Sequence, residues 1–248
     1  QFNFSSLFAF ITINYSRNNI INQTSIDENF VQTTSPINVS DDLSIRTNLS
    51  YSRPLRSLGA KIKLFTNSTY QNSIQFINTA KNDVNRYNTS VGFTLENRNK
   101  DNFSIRGTAR LTQNTNTYSE NTEQNLSYLN QSYKIGTRLD AIKSWSFASD
   151  LDVRHYSEQN FSPAETIPIW TASISKYFLE GDKGEFKVSA YDLLNQNQSI
   201  NRVSNANYVQ NESINTLGRY LMASFLYSFS STSGEAGGGA TKKIMRMH

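Results

Sequence analysis

The chain has no cysteine among its 248 residues, so neither a disulfide framework nor a thiolate metal site is available to it, although that absence assigns no compartment. Long apolar runs are missing too: nothing approaches the roughly 20 consecutive residues that a membrane-spanning helix needs. Charge of one sign is nowhere massed. The 24 basic and 20 acidic residues are scattered singly and leave a formal net charge of +4, without the Lys/Arg stripe that nucleic acid requires, so no nucleic-acid partner is expected. No glycine motif of the phosphate-cradling kind occurs. There is no signal peptide and no initiating methionine at Gln1, and the expectation is a mature or truncated chain.

What is present in quantity is Asn, Ser and Thr, interleaved with aromatic rings. Hydrophobic residues make up 37% and aromatics 12%, with 13 Tyr and 15 Phe against 2 Trp. Such a mixture is wrong for a packed α or α/β domain and favours β-structure with one wet face.

The informative signal has a period of two. Side chains of a strand alternate between faces, so a barrel wall carries apolar residues toward lipid and polar residues toward the lumen. In residues 145–156 one face holds Trp145, Phe147, Ser149, Leu151, Val153 and His155. The other holds Ser146, Ala148, Asp150, Asp152, Arg154 and Tyr156. In 103–112, Phe103, Ile105, Gly107, Ala109 and Leu111 oppose Ser104, Arg106, Thr108, Arg110 and Thr112. The same split runs through 43–51, 87–96, 7–16 and 133–140, and more weakly through 60–70, 170–178, 186–194 and 219–229. That makes about ten strands of about 10 residues, the length a tilted membrane strand needs.

Connections alternate in length. Short turns are expected at 53–58, 97–101, 141–144 and 180–184, and long Asn/Ser/Thr-rich loops at 18–41, 72–86, 114–125, 157–167 and 196–217. With 219–229 running down to the periplasm, every short link falls on the periplasmic side, so Asn78 and Asn205 are expected outside and Asp182 inside. Tyr15, Tyr51, Tyr70, Tyr87, Tyr133, Trp145, Trp170 and Tyr227 recur near strand ends, as in the aromatic girdles of the two lipid interfaces. The expected fold class is therefore all-β, an antiparallel up-and-down transmembrane β-barrel over residues 1–229, closed on itself or forming one side of a larger barrel. Residues 230–248, with three consecutive glycines and Lys242, Lys243 and Arg246, are expected to form a flexible basic periplasmic tail.

The last part of the barrel carries motif-like residues. Tyr191-Asp192-Leu193-Leu194-Asn195-Gln196 is followed by Arg202, then by Arg219-Tyr220-Leu221-Met222 leading into Phe225, Tyr227 and Phe229; a Pro-Ile-Trp stands at 168–170. This stretch resembles the carboxy-terminal end of TonB-dependent-receptor-like outer-membrane β-barrel proteins. The resemblance implies residence in the bacterial outer membrane and uptake or binding of a substrate there. It also implies a final strand read by the barrel-assembly machinery, which here would be Leu221, Ala223, Phe225, Tyr227 and Phe229. Outer-membrane lipid is the implied surrounding, with a plug domain, TonB or a surface lipoprotein as further partners. The tail beyond Phe229 departs from that pattern, so either the signal is read internally or the tail belongs to a subfamily with glycine-rich endings. No plug or TonB-binding segment lies in the chain itself.

The charges expected to face the lumen are Arg46, Arg106, Arg110, Lys134, Arg138, Asp140, Asp150, Asp152 and Arg154. On a barrel interior such groups coat a water-filled path, pair across strands or hold a plug. His155 is the only histidine of the barrel region, but Asp150 and Asp152 project from the opposite face, which disfavours a hydrolytic base–acid pair, so no catalytic residue is assigned. His155 and His248 are far apart and Asp41-Asp42 lacks liganding spacing, so no metal site and no cofactor is expected. Asn-X-Ser/Thr triplets, as at Asn22, Asn48, Asn67, Asn88 and Asn160, are expected by chance in this composition. The expected role is passage or binding at a membrane. The competing readings are an accessory barrel subunit of an assembly or secretion machine, and an extracellular sandwich or adhesin soluble without detergent.

Overall fold

A computed structural model describes residues 4–29, 31–39, 42–77, 80–97, 99, 101–120, 122–140, 144–158, 163–204, 209–215 and 217–229. The tail at 230–248, with His248, and Asp41, Asn78, Asn160 and Asn205 lie outside these residues. The described residues are all-β and antiparallel in their main ladders, with no α-helix. The strands are β1 (Ser6–Ser16), β2 (Asn19–Ile26), β3 (Gln32–Val39), β4 (Asp42–Leu55), β5 (Ala60–Ile77), β6 (Ala80–Asn97) and β7 (Phe103–Tyr118). They continue with β8 (Leu126–Leu139), β9 (Trp145–Tyr156), β10 (Glu165–Phe178), β11 (Gly184–Tyr191), β12 (Gln198–Ser204), β13 (Val209–Asn215) and β14 (Tyr220–Tyr227).

One sheet runs in the order β1-β4-β5-β6-β7-β8-β9-β10-β11-β14. Two hairpins extend it. β2 pairs with β3, continuing upward from the β1–β4 ladder and touching β5 through the single pair Thr24↔Ile77. β12 pairs with β13 as a separate two-stranded sheet above β11 and β14. Apart from these hairpins each strand neighbours the next in sequence, which is an up-and-down order. Among the described residues β1 and β14 do not pair with each other, so the sheet is open.

The strands at one end join through tight links. Arg56–Leu58 form a single 3-10 turn closed by Gly59 in the left-handed region (φ 55°), where a side chain would be strained, with its N–H donated to the Arg56 carbonyl at 3.2 Å. Glu180–Asp182 make the corresponding turn between β10 and β11. At the other end the strands run on well beyond the expected wall. Most of what the sequence presents as long polar loops is sheet: 72–86 belongs largely to β5 and β6, 114–118 to β7, and 18–41 and 196–217 contain the two hairpins. In these extensions the side continuous with the apolar face turns polar, as at Asn72, Asn85 and Thr115, while Val84, Tyr118 and Leu126 are buried on the other side, so the period of the lower strands does not continue. Pro168 stands within β10 opposite Val153 of β9, but beyond the β11 ladder, which covers 172–178 only, as suits a residue lacking an N–H.

The register sorts side chains into two faces. One cross-strand row is Leu64, Phe93, Ala109, Tyr133, Val153 and Pro168. Another is Phe103, Leu139, Phe147, Ile174, Val188 and Ala223. The opposite face has rows such as Lys61, Glu96, Arg106, Gly136, Asp150 and Thr171. Burial runs against the ordinary rule: Phe93 and Ile135 on the apolar face are 46% and 51% exposed, whereas Ser90 and Ser189 on the polar face are 6% and 2% exposed. Ile105 and Leu111 are also exposed, and Leu151 and Val153 are half-buried. In water each exposed Å² of this face would forgo about 25 cal/mol of burial. Contiguous apolar surface of such extent marks an interaction site.

Candidate functional site

The polar face is the candidate site, because the register gathers the candidate charges there. Arg46 lies in a row with Thr69 and Asn88. Arg106, Arg110, Lys134, Arg138, Asp150, Asp152 and Arg154 alternate along β7, β8 and β9 with the apolar residues of the other face, and Asp140 follows directly after β8.

Four ion pairs are cross-strand or local clamps. Asp152 of β9 accepts from Lys134 of β8 at 3.0 Å and from Arg154 two residues along its own strand at 3.0 Å. Arg138 pairs with Asp140 at 3.0 Å and reaches across β9 to donate to the Tyr177 hydroxyl of β10 at 3.2 Å. Arg106 pairs at 2.8 Å with Glu96, directly opposite on β6. The alternation in 87–96 puts Glu96 on the polar side, whereas Tyr177 is recognisable as a partner only from the fold.

Two glycines open room on this face. Gly136 lies between Arg106 and Asp150 in one row, and a β-carbon there would stand 2.7 Å from the Asp150 carboxylate. Gly92 separates Phe65 from Arg110, and a β-carbon there would meet the Phe65 ring at 2.6 Å. The ring therefore lies across β6, and the Arg110 guanidinium sits 4.9 Å from its centre, within cation–π range.

Beside these residues an open cleft of about 270 Å³ is lined by Lys61, Lys63, Thr94, Glu96, Arg106 and Thr108. It shares Lys63, Thr94 and Thr108 with an adjoining cleft of about 440 Å³ that reaches Phe8, Phe65 and Arg110. Thr94 and Thr108 are hydrogen-bonded to each other at 3.0 Å and form the common floor. Lys61 and Lys63 escaped the candidate set because 60–70 alternates only weakly, with Thr66 and Ser68 interrupting the apolar side.

Several polar groups of the apolar face are bonded within the sheet. The Trp170 indole N–H donates to Ser149 Oγ at 2.9 Å, Thr137 donates to the Ser149 carbonyl at 3.3 Å, and Ser68 and Thr89 share a hydrogen bond at 2.9 Å. His155, in the same face, has Nδ1 2.8 Å from Thr166 Oγ1, while Asp150 and Asp152 lie on the far side of the sheet. Among the described residues no group of three or more His, Asp or Glu side chains converges as metal ligands would.

The final strand presents Leu221, Ala223, Phe225 and Tyr227 on the apolar face in register with Ala190, Val188, Phe186 and Gly184 of β11. Phe229 follows two residues later, 86% exposed and edge-on to the Tyr227 ring at 4.6 Å. At the upper end of β11, Tyr191 stacks on Tyr220 at 4.6 Å. Buried Asp192 (φ 48°) caps the next turn, accepting from the N–H groups of Gln196 at 3.0 Å and Asn197 at 2.9 Å. Asn195 then accepts from the N–H of Arg219 at 3.0 Å, tying both strands of the β12–β13 hairpin base together. The Tyr191–Gln196 segment thus has a structural account of its own. No protein-family model, no curated protein and no solved structure matches the chain.

Proposed function

We propose that this chain is wall of a transmembrane β-barrel in a bacterial outer membrane, of the TonB-dependent receptor type, contributing to binding or passage of a substrate rather than to a chemical reaction. The observation that carries the reading is the inverted burial: large apolar side chains open on one face of the main strands, while small polar ones such as Ser90, Ser175 and Ser189 are buried on the other. Hydrocarbon is the medium that makes such a face favourable. It also demands that polar groups facing it be satisfied internally, which agrees with the Trp170–Ser149 and Ser68–Thr89 bonds. From Phe103 to Leu111 the apolar band spans about 27 Å along the strand at ~3.4 Å per residue, or about 20 Å of height at the ~40° tilt of barrel strands, against the ~25 Å of an outer-membrane barrel belt. Beyond it Gln113 and Thr115 on the same side are polar, as a wall standing clear of the membrane would be.

The receptor type rests on the resemblance of the 191–229 stretch and its aromatic-ended last strand. Both edge strands carry apolar groups on both faces, with Phe8 and Phe10 on the polar side of β1, and Met222 and Leu226 on that of β14. Pairing of these edges, with each other or with further strands, covers that surface and completes the wall. The accessory-subunit reading draws support from the Asp152, Asp140 and Glu96 pairs, which use charges to brace strands rather than to meet a solute. Fractionation tests the proposal: the chain expressed with an export signal stays with outer membranes through an alkaline wash and needs detergent for extraction. Recovery as a soluble monomer without detergent would overturn it in favour of an extracellular sandwich.

A further inference from the structure

Charge is not spread evenly over the polar face. On β8 and β9 basic and acidic groups occur together and clamp each other, as Lys134, Arg154 and Asp152 do. On β5 to β7 the acid is Glu96, held by Arg106, while Lys61, Lys63 and Arg110 form no ion pair among the described residues. The two clefts open between these cations and are continuous through Lys63, Thr94 and Thr108. One end is thus cationic, with hydroxyl donors on its floor. The other end is aromatic, with the Phe65 ring held across Gly92 beneath the Arg110 guanidinium and Phe8 beside it.

We infer that this groove binds organic anions: a carboxylate or phosphate group taken by Lys61, Lys63 and Arg110, joined to an apolar body that lies against Phe65. Lys63 borders both clefts, with Lys61 beside it in one and Arg110 in the other, and an oxyanion between such cations offsets the repulsion of like charges. The low-dielectric wall concentrates the field of such a cluster and raises the local level of anions over cations by about tenfold or more. The ring end selects against small inorganic anions, which leave Phe65 and Phe8 uncovered. The inference rests on the barrel reading above, which puts this face in contact with water.

The test uses the full chain refolded into lipid vesicles, with Thr94→Cys as reporter and Ser173→Cys, on the polar face of β10, as reference. Negatively and positively charged methanethiosulfonates of equal size are applied to each. The anionic reagent is expected to react at residue 94 about tenfold faster than the cationic one, relative to residue 173. Phenyl phosphate and 2-naphthoate at millimolar concentration slow that reaction, inorganic phosphate does so less, and Lys63→Glu with Arg110→Glu reverses the preference. Equal rates for the two reagents, or protection by benzylammonium as good as by naphthoate, overturn the inference while leaving the barrel reading intact. Failure of both water-soluble reagents at residue 94, with reaction of a lipid-soluble maleimide there, removes the barrel reading and the inference with it.

Discussion

Gly92 lies directly opposite Arg110 in the β6–β7 ladder, and the space above its α-carbon is filled by the Phe65 ring from the strand on its other side. A β-carbon at 92 would stand 2.4 Å from the Ala109 carbonyl oxygen as well as 2.6 Å from the ring, so backbone and side chain both have to give. Gly92→Ala is expected to lower stability by about 1–3 kcal/mol, the usual cost of overpacking. Gly107→Ala is the control, because nothing lies within 4 Å of its added carbon, and it is expected to change stability by less than about 0.5 kcal/mol. Urea unfolding in lipid vesicles measures both.

The two faces make opposite demands of a new charge. Ile135→Arg places a guanidinium on the open apolar face and is expected to cost about 2–4 kcal/mol in a bilayer. Thr171→Arg, on the polar face directly opposite Asp150, is expected to cost less than about 1 kcal/mol, since water and a carboxylate meet it. Reversible unfolding of the two variants in vesicles gives the comparison. Equal costs would mean that both faces see the same medium.

The tight links and the long hairpins lie at opposite ends of the sheet, which sets an orientation. Cysteines at Glu28 and Glu123, at the long end, are expected to label on intact cells with a membrane-impermeant maleimide. Cysteines at Ser57 and Asp182, in the short turns, are expected to label only after the outer membrane is opened. External labelling at residue 182 would reverse the topology.

Asp192 closes the base of the β12–β13 hairpin from a buried position, and its carboxylate takes two backbone N–H groups. Asp192→Ala leaves both donors without that acceptor and is expected to cost about 1–3 kcal/mol. Because the loss is local, limited proteolysis between 193 and 218 should accelerate ahead of the rest of the chain. Asp192→Asn tolerates the left-handed backbone and retains one acceptor oxygen, so intermediate behaviour is expected.

The main wall was legible from the residues because alternation is strongest where one face is apolar. The strand at 145–156 matches its expected bounds, and 103–112 and 87–96 fall inside β7 and β6. The upper halves of β5, β6 and β7 were not, since Asn72, Asn85 and Thr115 stand where Leu64, Phe93 and Leu111 stand lower down, and the buried Val84 and Tyr118 face the other way, so the alternation of the lower strands is lost. Parity puts the strand-borne candidate charges on one face, but their partners depend on register. Arg106 pairs with Glu96, directly opposite on β6, whereas Asp150 lies two strands away beyond Gly136. The groove was hidden because it joins Lys61 and Lys63 to Arg106 and Arg110 across more than forty residues of chain.

The most direct test is a nitroxide scan of residues 103–112 in the full chain reconstituted in lipid, reading collision rates with oxygen and with a water-soluble nickel chelate. Odd positions, including Ile105 and Leu111, are predicted to favour oxygen and even positions, including Thr108 and Arg110, to favour the chelate, with a period of two. Odd positions shielded from both collision partners would mean that Ile105 and Leu111 are packed inside protein, and would contradict the account.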